Sequence, residues 1–555
     1  MIEAFWIPLL PPYLIGLVLS FAVEALLTPR PVAPWRRPMA AVGVHVGVWT
    51  LAFALELMLF RRPYFAVANV LAIELLIVLV SNAKYKALKE PFVYPDFEYF
   101  LDAIKHPRLY LPFFGVWRAV AAGGGYGVAL WAGLALEESI TTGAGLWMAS
   151  FGELGREHIF GPFVPAGSFY VQTFLLAVVT VGCLRWLSHR VTLKYSEIDD
   201  IRKVGFITSI WCYGVNERQA VDITRMKSTL SVPSLYDVKM GLHEMPDLIS
   251  VQSESFFDAR KEYELLRHDV LENFDRLKSE SVCFGRLSVP AWGANTVRTE
   301  FAFLSGISPA LMGVHRYNPY RKLAEHGLPT LASHLQALGY RTICIHPFYG
   351  SFYRRNEVMP RLGFEEFLDI SHFQDAERFG PYVSDRALAM KATELLKIRD
   401  DARPLFIHII TMENHGPLHW ESVSAADKAA FTTQLVPPGC EDLVAYTRHL
   451  ENADAMFGIL RQALVEKPRP GALCIFGDHV PIMPKVYEQL HEPIGVTDYV
   501  IWWTQDGGGV EEDLPVAGLA SRFWDTVMTR SDESTASRDL PTTRKRQSLT
   551  SEKYG

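Results

Sequence analysis

Apolar positions along the chain follow two regimes that meet near residue 190. Upstream, five nearly unbroken apolar stretches run at about 5–27, 39–60, 63–82, 113–136 and 168–187. Each is close to the ~20 residues that a helix needs to cross a bilayer. The first is too long, and lacks the small-residue pattern, for a removed signal peptide. Downstream of about residue 244 the apolar runs shorten to strand length: "DLISVQS", "YRTICIHP", "LFIHIIT", "ALCIFGD" and "YVIWWTQ". Helical patterns separate them, among them "KEYELLRHDVLENFDRLKS", "TLASHLQALG" and "RALAMKATELLKI". Strands alternating with helices predict a mostly parallel sheet covered on both faces. The expected organisation is therefore a five-helix transmembrane domain over 1–190, a juxtamembrane linker over 191–243, an α/β domain over 244–527 and a disordered tail over 528–555.

Several local features qualify this picture. Glu24 and Glu56 fall near or within the apolar stretches and must face protein or water. "AAGGGYG" in the fourth stretch would permit close helix packing. "KYKALKEPFVYPDFEYFLDAIKHPRLYLPF", after the third, is too polar to cross a membrane and suits one lying on its surface. Basic residues gather in the first loop (Arg30, Arg36, Arg37), the third (Lys84, Lys86, Lys89) and after the last stretch (Arg190, Lys194). By the positive-inside rule these would place the C-terminal domain in the cytoplasm.

Composition agrees with a membrane protein: 49% of the 555 residues are hydrophobic and 21% charged. A formal net charge of −7 argues against nucleic acid as a partner. The six cysteines form no CxxC and no tight framework, and read as buried free thiols.

Candidate chemistry lies where the strands end, since open α/β sheets gather their sites at carboxyl ends. "DLISVQSESFFD" runs into Ser253, Glu254 and Ser255, and "ALCIFGDHVP" delivers Asp478 and His479. "RTICIHPF" ends at His346, and "FIHIITMENHGP" at Glu413, Asn414 and His415. One strand-end Asp often caps a turn and one His is often a satisfied core residue. Four such ends in one sheet suggest a site. Glu254, Asp478 and His479, with the oxygen of Thr296, would suit one divalent cation.

Thr296, in "GANTVRTEF", is either a helix cap or a nucleophile. A threonine hydroxyl attacks poorly at neutral pH; a metal beside it would lower its pKa, and the helix that follows would turn free N–H groups towards an anion. Phosphoryl transfer suits such a set best. In "HPFYGSFYRRNEV", Arg355 would clamp the phosphate, with His346 and His415 donating to the same group.

In order, "KEPFVYPDF", "QSESF", "GANTVRTEF", "HPFYGSFYRR", "ENHGP" and "FGDH" resemble the lipoteichoic acid synthase and phosphoglycerol transferase family, within the alkaline phosphatase and sulfatase superfamily. The resemblance implies a sulfatase-like domain behind five membrane spans. It implies that Thr296 takes phosphoglycerol from phosphatidylglycerol, forming a covalent intermediate and releasing diacylglycerol, before a second acceptor collects the group. Glu254, Thr296, Asp478 and His479 would then bind one manganese ion, with zinc or magnesium as alternatives, and His346, Arg355 and His415 would hold the glycerol phosphate. His415 would also move a proton. The family's catalytic domain lies outside the cytoplasmic membrane, against the charge count, and the resemblance is followed here. The acceptor stays open between a glycerol phosphate polymer, a periplasmic glucan and a surface polysaccharide.

Three rivals remain. A true sulfatase resembles its relatives through C/S-x-P-x-R, but "SVPAW" has Trp292 in place of the arginine. A phosphoethanolamine transferase also uses a threonine and a metal. A non-catalytic membrane protein that binds envelope glycans would have no need of the whole motif set.

Overall fold

The computed structural model describes residues 6–98, 116–141, 164–230, 245–398, 403–504 and 507–538. The N-terminal apolar stretches are helical: α1 (Leu10–Glu24), α2 (Met39–Phe60), α3 (Pro63–Leu88), α4 (Val116–Leu136) and α5 (Ala166–Ser188). Among the described residues, α2, α3 and α5 are long and apolar enough to cross a membrane, whereas α1 and Gly123–Leu136 are shorter apolar helices. Three of the five expected spans thus meet the length and composition of a crossing within the described residues.

Small residues set the packing, though not where the glycine run suggested. A Cβ on Gly47 of α2 would lie 2.7 Å from Leu184 of α5, and one on Gly43 2.9 Å from Leu187. Among the described residues, Gly123, Gly124, Gly125 and Gly127 have nothing within 4 Å of such an atom, while Gly133 abuts Phe65. The close approach in α4 thus occurs a turn or more beyond the run.

Glu24 is fully buried, 2.5 Å from Arg37 of the first loop. It also accepts from the backbone N–H groups of Phe206 (2.5 Å) and Ile207 (3.2 Å). Those residues open the second of two connector helices, α6 (Glu197–Val204) and α7 (Phe206–Glu217), so the carboxylate caps orphan donors at the start of α7. Glu56 accepts from Asn69 of α3 at 2.8 Å.

The second half is built on a mixed sheet whose strands are β1 (Asp247–Ser253), β2 (Cys283–Ser288), β3 (Arg341–Ile345), β4 (Glu366–Leu368), β7 (Leu405–Ile410), β8 (Gly471–Gly477), β9 (Thr497–Trp503), β10 (Val510–Glu511) and β11 (Leu514–Pro515). A separate hairpin holds β5 (Arg378–Phe379) and β6 (Tyr382–Val383). The order is β10-β2-β9-β8-β1-β7-β3-β4, with β11 also beside β2. From β8 through β4 every pairing is parallel, and only β9 runs against its neighbours β8 and β2. Every residue of β1, β7, β8 and β9 is buried, which is why these segments read as continuous apolar runs.

One face carries helices α10 (Asp385–Lys397) and α11 (Glu441–Val465), together with α8 (Glu272–Glu280). The other carries α9 (Thr296–Ser305) and α12 (Val516–Arg538). The helical pattern expected around residues 261–279 is realised only as α8, preceded by 3-10 turns. Helix α12 extends into the segment read as a disordered tail, and 539–555 lie outside the described residues. The polar segment after α3 is described through Glu98, and this part meets the α/β half through Glu90 and Arg298. The six cysteines are free; Cys183 is exposed and the other five buried.

Candidate metal and phosphate site

Strands β8, β1, β7 and β3 are adjacent and parallel, so their carboxyl ends share one edge of the sheet. Asp478 and His479 leave β8, Glu254 leaves β1, Glu413 to His415 follow β7, and His346 follows β3. Strand β2 ends on the same edge, because two antiparallel steps through β9 bring it parallel to β8. Its loop leads to Thr296. Topology therefore gathers residues that are up to 225 positions apart, the spacing of Glu254 and His479.

Glu254, Asp478 and His479 each offer a ligand atom within 4.8 Å of the others, and all three are buried. His479 Nδ1 lies 3.1 Å from the Val480 carbonyl, to which it donates. That leaves Nε2 with its lone pair 3.5 Å from both Glu254 Oε1 and Asp478 Oδ2. Asp478 Oδ2 is buried, while Oδ1 accepts from the Ser255 backbone at 2.8 Å. Burial and the neighbouring Glu254 push the Asp478 carboxyl up to about 7. Three acceptors facing one another in a dry place need a positive charge between them. A divalent cation fits that need, and oxygen with imidazole donors suit manganese, zinc or magnesium without selecting one.

Thr296 is the first residue of α9, and Asn295, at φ 69°, occupies the N-cap position without bonding through its side chain. Thr296 is therefore not the helix cap. Its hydroxyl lies 3.5 Å from Glu254 Oε2, pointing into the acidic cluster. Thr299, one turn on, donates to the Asp478 carbonyl at 2.8 Å and ties the helix to β8.

The anion-binding candidates are arranged differently from a simple ring of donors. Arg355 is 1% exposed; its Nη2 donates to Glu300 at 2.8 Å, its Nη1 donates to His346 Nε2 at 3.1 Å, and its Nε is buried without a partner. His346 Nδ1 donates to the Ile410 carbonyl at 3.2 Å. Burial, then Arg355, hold its imidazole well below the usual histidine range. Both ring nitrogens of His346 are thus engaged, so in this arrangement it orients Arg355. His415 is half-buried, with Nδ1 2.9 Å from the Gly416 carbonyl and 3.5 Å from the Tyr382 hydroxyl. With Nδ1 as the donor to Gly416, Nε2 is the basic nitrogen.

Two further groups support the site. Glu300, fully buried one turn after Thr296, accepts from Arg355 and from the Tyr320 hydroxyl, and so joins the phosphate side to the helix of Thr296. Its i,i+4 spacing from Thr296 was the available signal. Glu413 accepts from the Asp385 backbone (2.7 Å), His449 (3.1 Å) and Asn452 (2.6 Å), which holds the loop carrying His415. His449 and Asn452 lie in an ordinary amphipathic helix pattern that gave no warning. Arg298 pairs with Glu90, which is 208 positions away.

This constellation is a candidate metal-binding group at the carboxyl edge of an α/β sheet. Residues 246–528 match the sulfatase family, and the chain belongs to it. It is a membrane-associated enzyme of the alkaline phosphatase and sulfatase superfamily, whose members are metal-dependent. Among curated proteins it is 27% identical over 465 residues, 82% of this chain and 80% of the other, to the capsular polysaccharide biosynthesis protein RkpI of Rhizobium meliloti. Among solved structures it is similar to the phosphoglycerol transferase GacH of Streptococcus pyogenes (20% identity, TM-score 0.42, covering 57% of this chain and 84% of that one). It is also similar to the lipooligosaccharide phosphoethanolamine transferase A of Neisseria meningitidis (13%, TM-score 0.49, 93% and 95%).

Proposed function

We propose that the protein transfers phosphoglycerol from phosphatidylglycerol to a glycan or polymer of the cell envelope, through a covalent intermediate on Thr296. The observation that carries this reading is the Thr296 hydroxyl, freed from capping duty and aimed at the Glu254, Asp478 and His479 cluster, with Arg355 held through Glu300 on the same helix. Glu254, Asp478, His479 and Thr296 would hold the metal, which when bound favours the ionised hydroxyl and offsets phosphate charge.

The Thr296 oxygen attacks the donor phosphorus, its bond to phosphorus forming as the bond to the diacylglycerol oxygen breaks. Arg355 balances the charge that spreads over the phosphoryl oxygens. His415 supplies a proton to the departing oxygen, then takes one from the acceptor hydroxyl as that hydroxyl displaces Thr296. The α/β domain, 244–527, does this chemistry on the outer face of the bacterial cytoplasmic membrane. Residues 1–190 anchor it through several crossings, with 191–243 linking the two. The capsular polysaccharide protein that the chain resembles supports a surface polysaccharide or related polymer as acceptor.

Thr296→Ala tests the proposal. Purified full-length protein with manganese should release diacylglycerol from labelled phosphatidylglycerol, and the variant should lose at least about a thousandfold in rate. A variant that retains turnover removes Thr296 from the mechanism. Release from labelled phosphatidylethanolamine in preference to phosphatidylglycerol overturns the donor assignment.

A further inference from the structure

We propose that Glu90, in the segment after the third membrane helix, is a positioning residue that fixes the Thr296 hydroxyl by way of Arg298. This rests on the reading of Thr296 as the nucleophile. Thr296 and Arg298 are the first and third residues of α9, in one helical turn. No side chain caps that turn, since Asn295 makes no capping bond. On the β8 side Thr299 ties it down, and on the other side the Arg298 side chain does, 5% exposed, its Nη1 and Nη2 both reaching the Glu90 carboxylate while Nε donates to the Tyr317 carbonyl at 3.1 Å. A forked guanidinium on a carboxylate fixes direction as well as distance.

Glu90 is itself held. Lys84 Nζ lies 2.7 Å from it and 2.6 Å from Asp96, which also accepts from the Val93 backbone at 2.8 Å. Burial pushes the Glu90 carboxyl up, but Arg298 and Lys84 together outweigh it and keep the group well below the usual range, so it is charged at any working pH. Tyr317 is anchored from the connector: its hydroxyl donates to Glu197 (2.7 Å) and lies 3.0 Å from the Tyr195 carbonyl. Leu88 also approaches Gly293, three residues before Thr296, where φ is 67° and a Cβ would lie 3.4 Å from it. The start of α9 is therefore braced by chain from the membrane-proximal segments on two sides. The α/β domain supplies the reacting groups, and the membrane half sets where one of them points.

The test uses full-length protein in detergent, comparing wild type with Glu90→Gln, Glu90→Asp and, as control, Glu492→Gln. Glu492 pairs with Lys89 at 2.6 Å on the partly exposed part of the same interface and does not involve Arg298. Diacylglycerol release should show kcat lower by about 10- to 100-fold in Glu90→Gln, with KM and manganese affinity within about twofold. Glu90→Asp should fall between, and Glu492→Gln should match wild type. Independently of turnover, hydrogen exchange of a peptide spanning α9 should quicken at least about tenfold in Glu90→Gln while a β8 peptide keeps its protection. Wild-type exchange and wild-type kcat in Glu90→Gln overturn the inference. So does loss of β8 protection and manganese binding together in both Glu90 variants, which makes Glu90 a general stabiliser. If wild type releases no diacylglycerol from any donor, the proposed reaction fails and the exchange measurement alone decides the role of Glu90.

Discussion

Replacing Glu300 by glutamine removes one charge from the middle of the site and leaves its shape. Glu300 is fully buried, and among the described residues it is the carboxylate paired with Arg355, itself 1% exposed. Removing one partner of a buried ion pair costs about 3–5 kcal/mol, because the remaining charge is stranded away from water. Glutamine can still accept from Arg355 Nη2 through its carbonyl oxygen and meet the Tyr320 hydroxyl, so the lower figure, about 3 kcal/mol, applies. At roughly 2 °C per kcal/mol for a domain of this size, the unfolding midpoint should drop by about 6 °C. The assay is tryptophan fluorescence on heating at one fixed scan rate, since membrane proteins seldom refold after melting. Millimolar sn-glycerol phosphate should raise the midpoint of the variant more than that of wild type, because a bound phosphate returns negative charge to Arg355. A midpoint within about 1 °C of wild type, with no added response to glycerol phosphate, refutes this account of how Arg355 is held.

Two further outcomes concern pH. Burial alone would lower the His449 pKa, but Glu413 at 3.1 Å and Glu421 at 2.8 Å outweigh it and raise it to about 9. A folded pKa above the unfolded value of about 6.5 gives stability that is complete below pH 6.5 and lost as pH rises through 9, at most about 3 kcal/mol. Thermal midpoints measured from pH 6 to pH 9.5 should fall in wild type and fall less in His449→Gln; equal slopes would dismiss the carboxylate–imidazolium contact. At the metal site the sign reverses. With the Asp478 carboxyl pushed up to about 7 by burial and Glu254, protons compete with a cation there. Manganese affinity, followed by calorimetry, should weaken steadily as pH falls from 8 to 5.5, and a flat profile would remove Asp478 from the ligand set.

How much of this could be read from the chain depended on the range of each interaction. The strand ends were legible because a buried parallel strand writes a continuous apolar run and the polar residue that stops it stands out, as with Gly477 before Asp478 and His479. The sheet edge they share follows from the topology of α/β folds, so Glu254, Asp478 and His479 could be grouped in advance. Glu300 was harder, since a glutamate in the first turns of a helix suits a capping or supporting role at its start, yet all nine residues from Val297 to Ser305 are buried. His346 was read as a phosphate donor because a pattern of types cannot say that its two nitrogens are already used by Ile410 and Arg355. The glycine run in α4 had the right composition for close packing, but contact requires a partner on that face, and among the described residues Gly133 has one while Gly123 does not.

The charge count along the loops meets a related difficulty. The positive-inside rule concerns charges that face lipid headgroups and solvent during insertion. Arg37 is buried against Glu24, Lys84 lies between Glu90 and Asp96, and Lys89 meets Glu492, so three of the six basic residues counted in the first and third loops are neutralised by acidic partners at 2.7 Å or closer. Two of those partners, Glu24 and Glu492, are absent from the loops in which the basic residues were counted. The turn joining α2 to α3 bears Arg61 and Arg62 at the opposite end of the bundle from the α/β domain, because α2 starts beside α7, where Thr208 donates to the Ala41 carbonyl, and runs away from it. Discounting the compensated residues weakens the bias towards a cytoplasmic catalytic domain and supports the outward placement proposed above. One pairing that spoils the count, Lys84 with Glu90, continues from Glu90 to Arg298 and so connects the membrane half to the helix of Thr296.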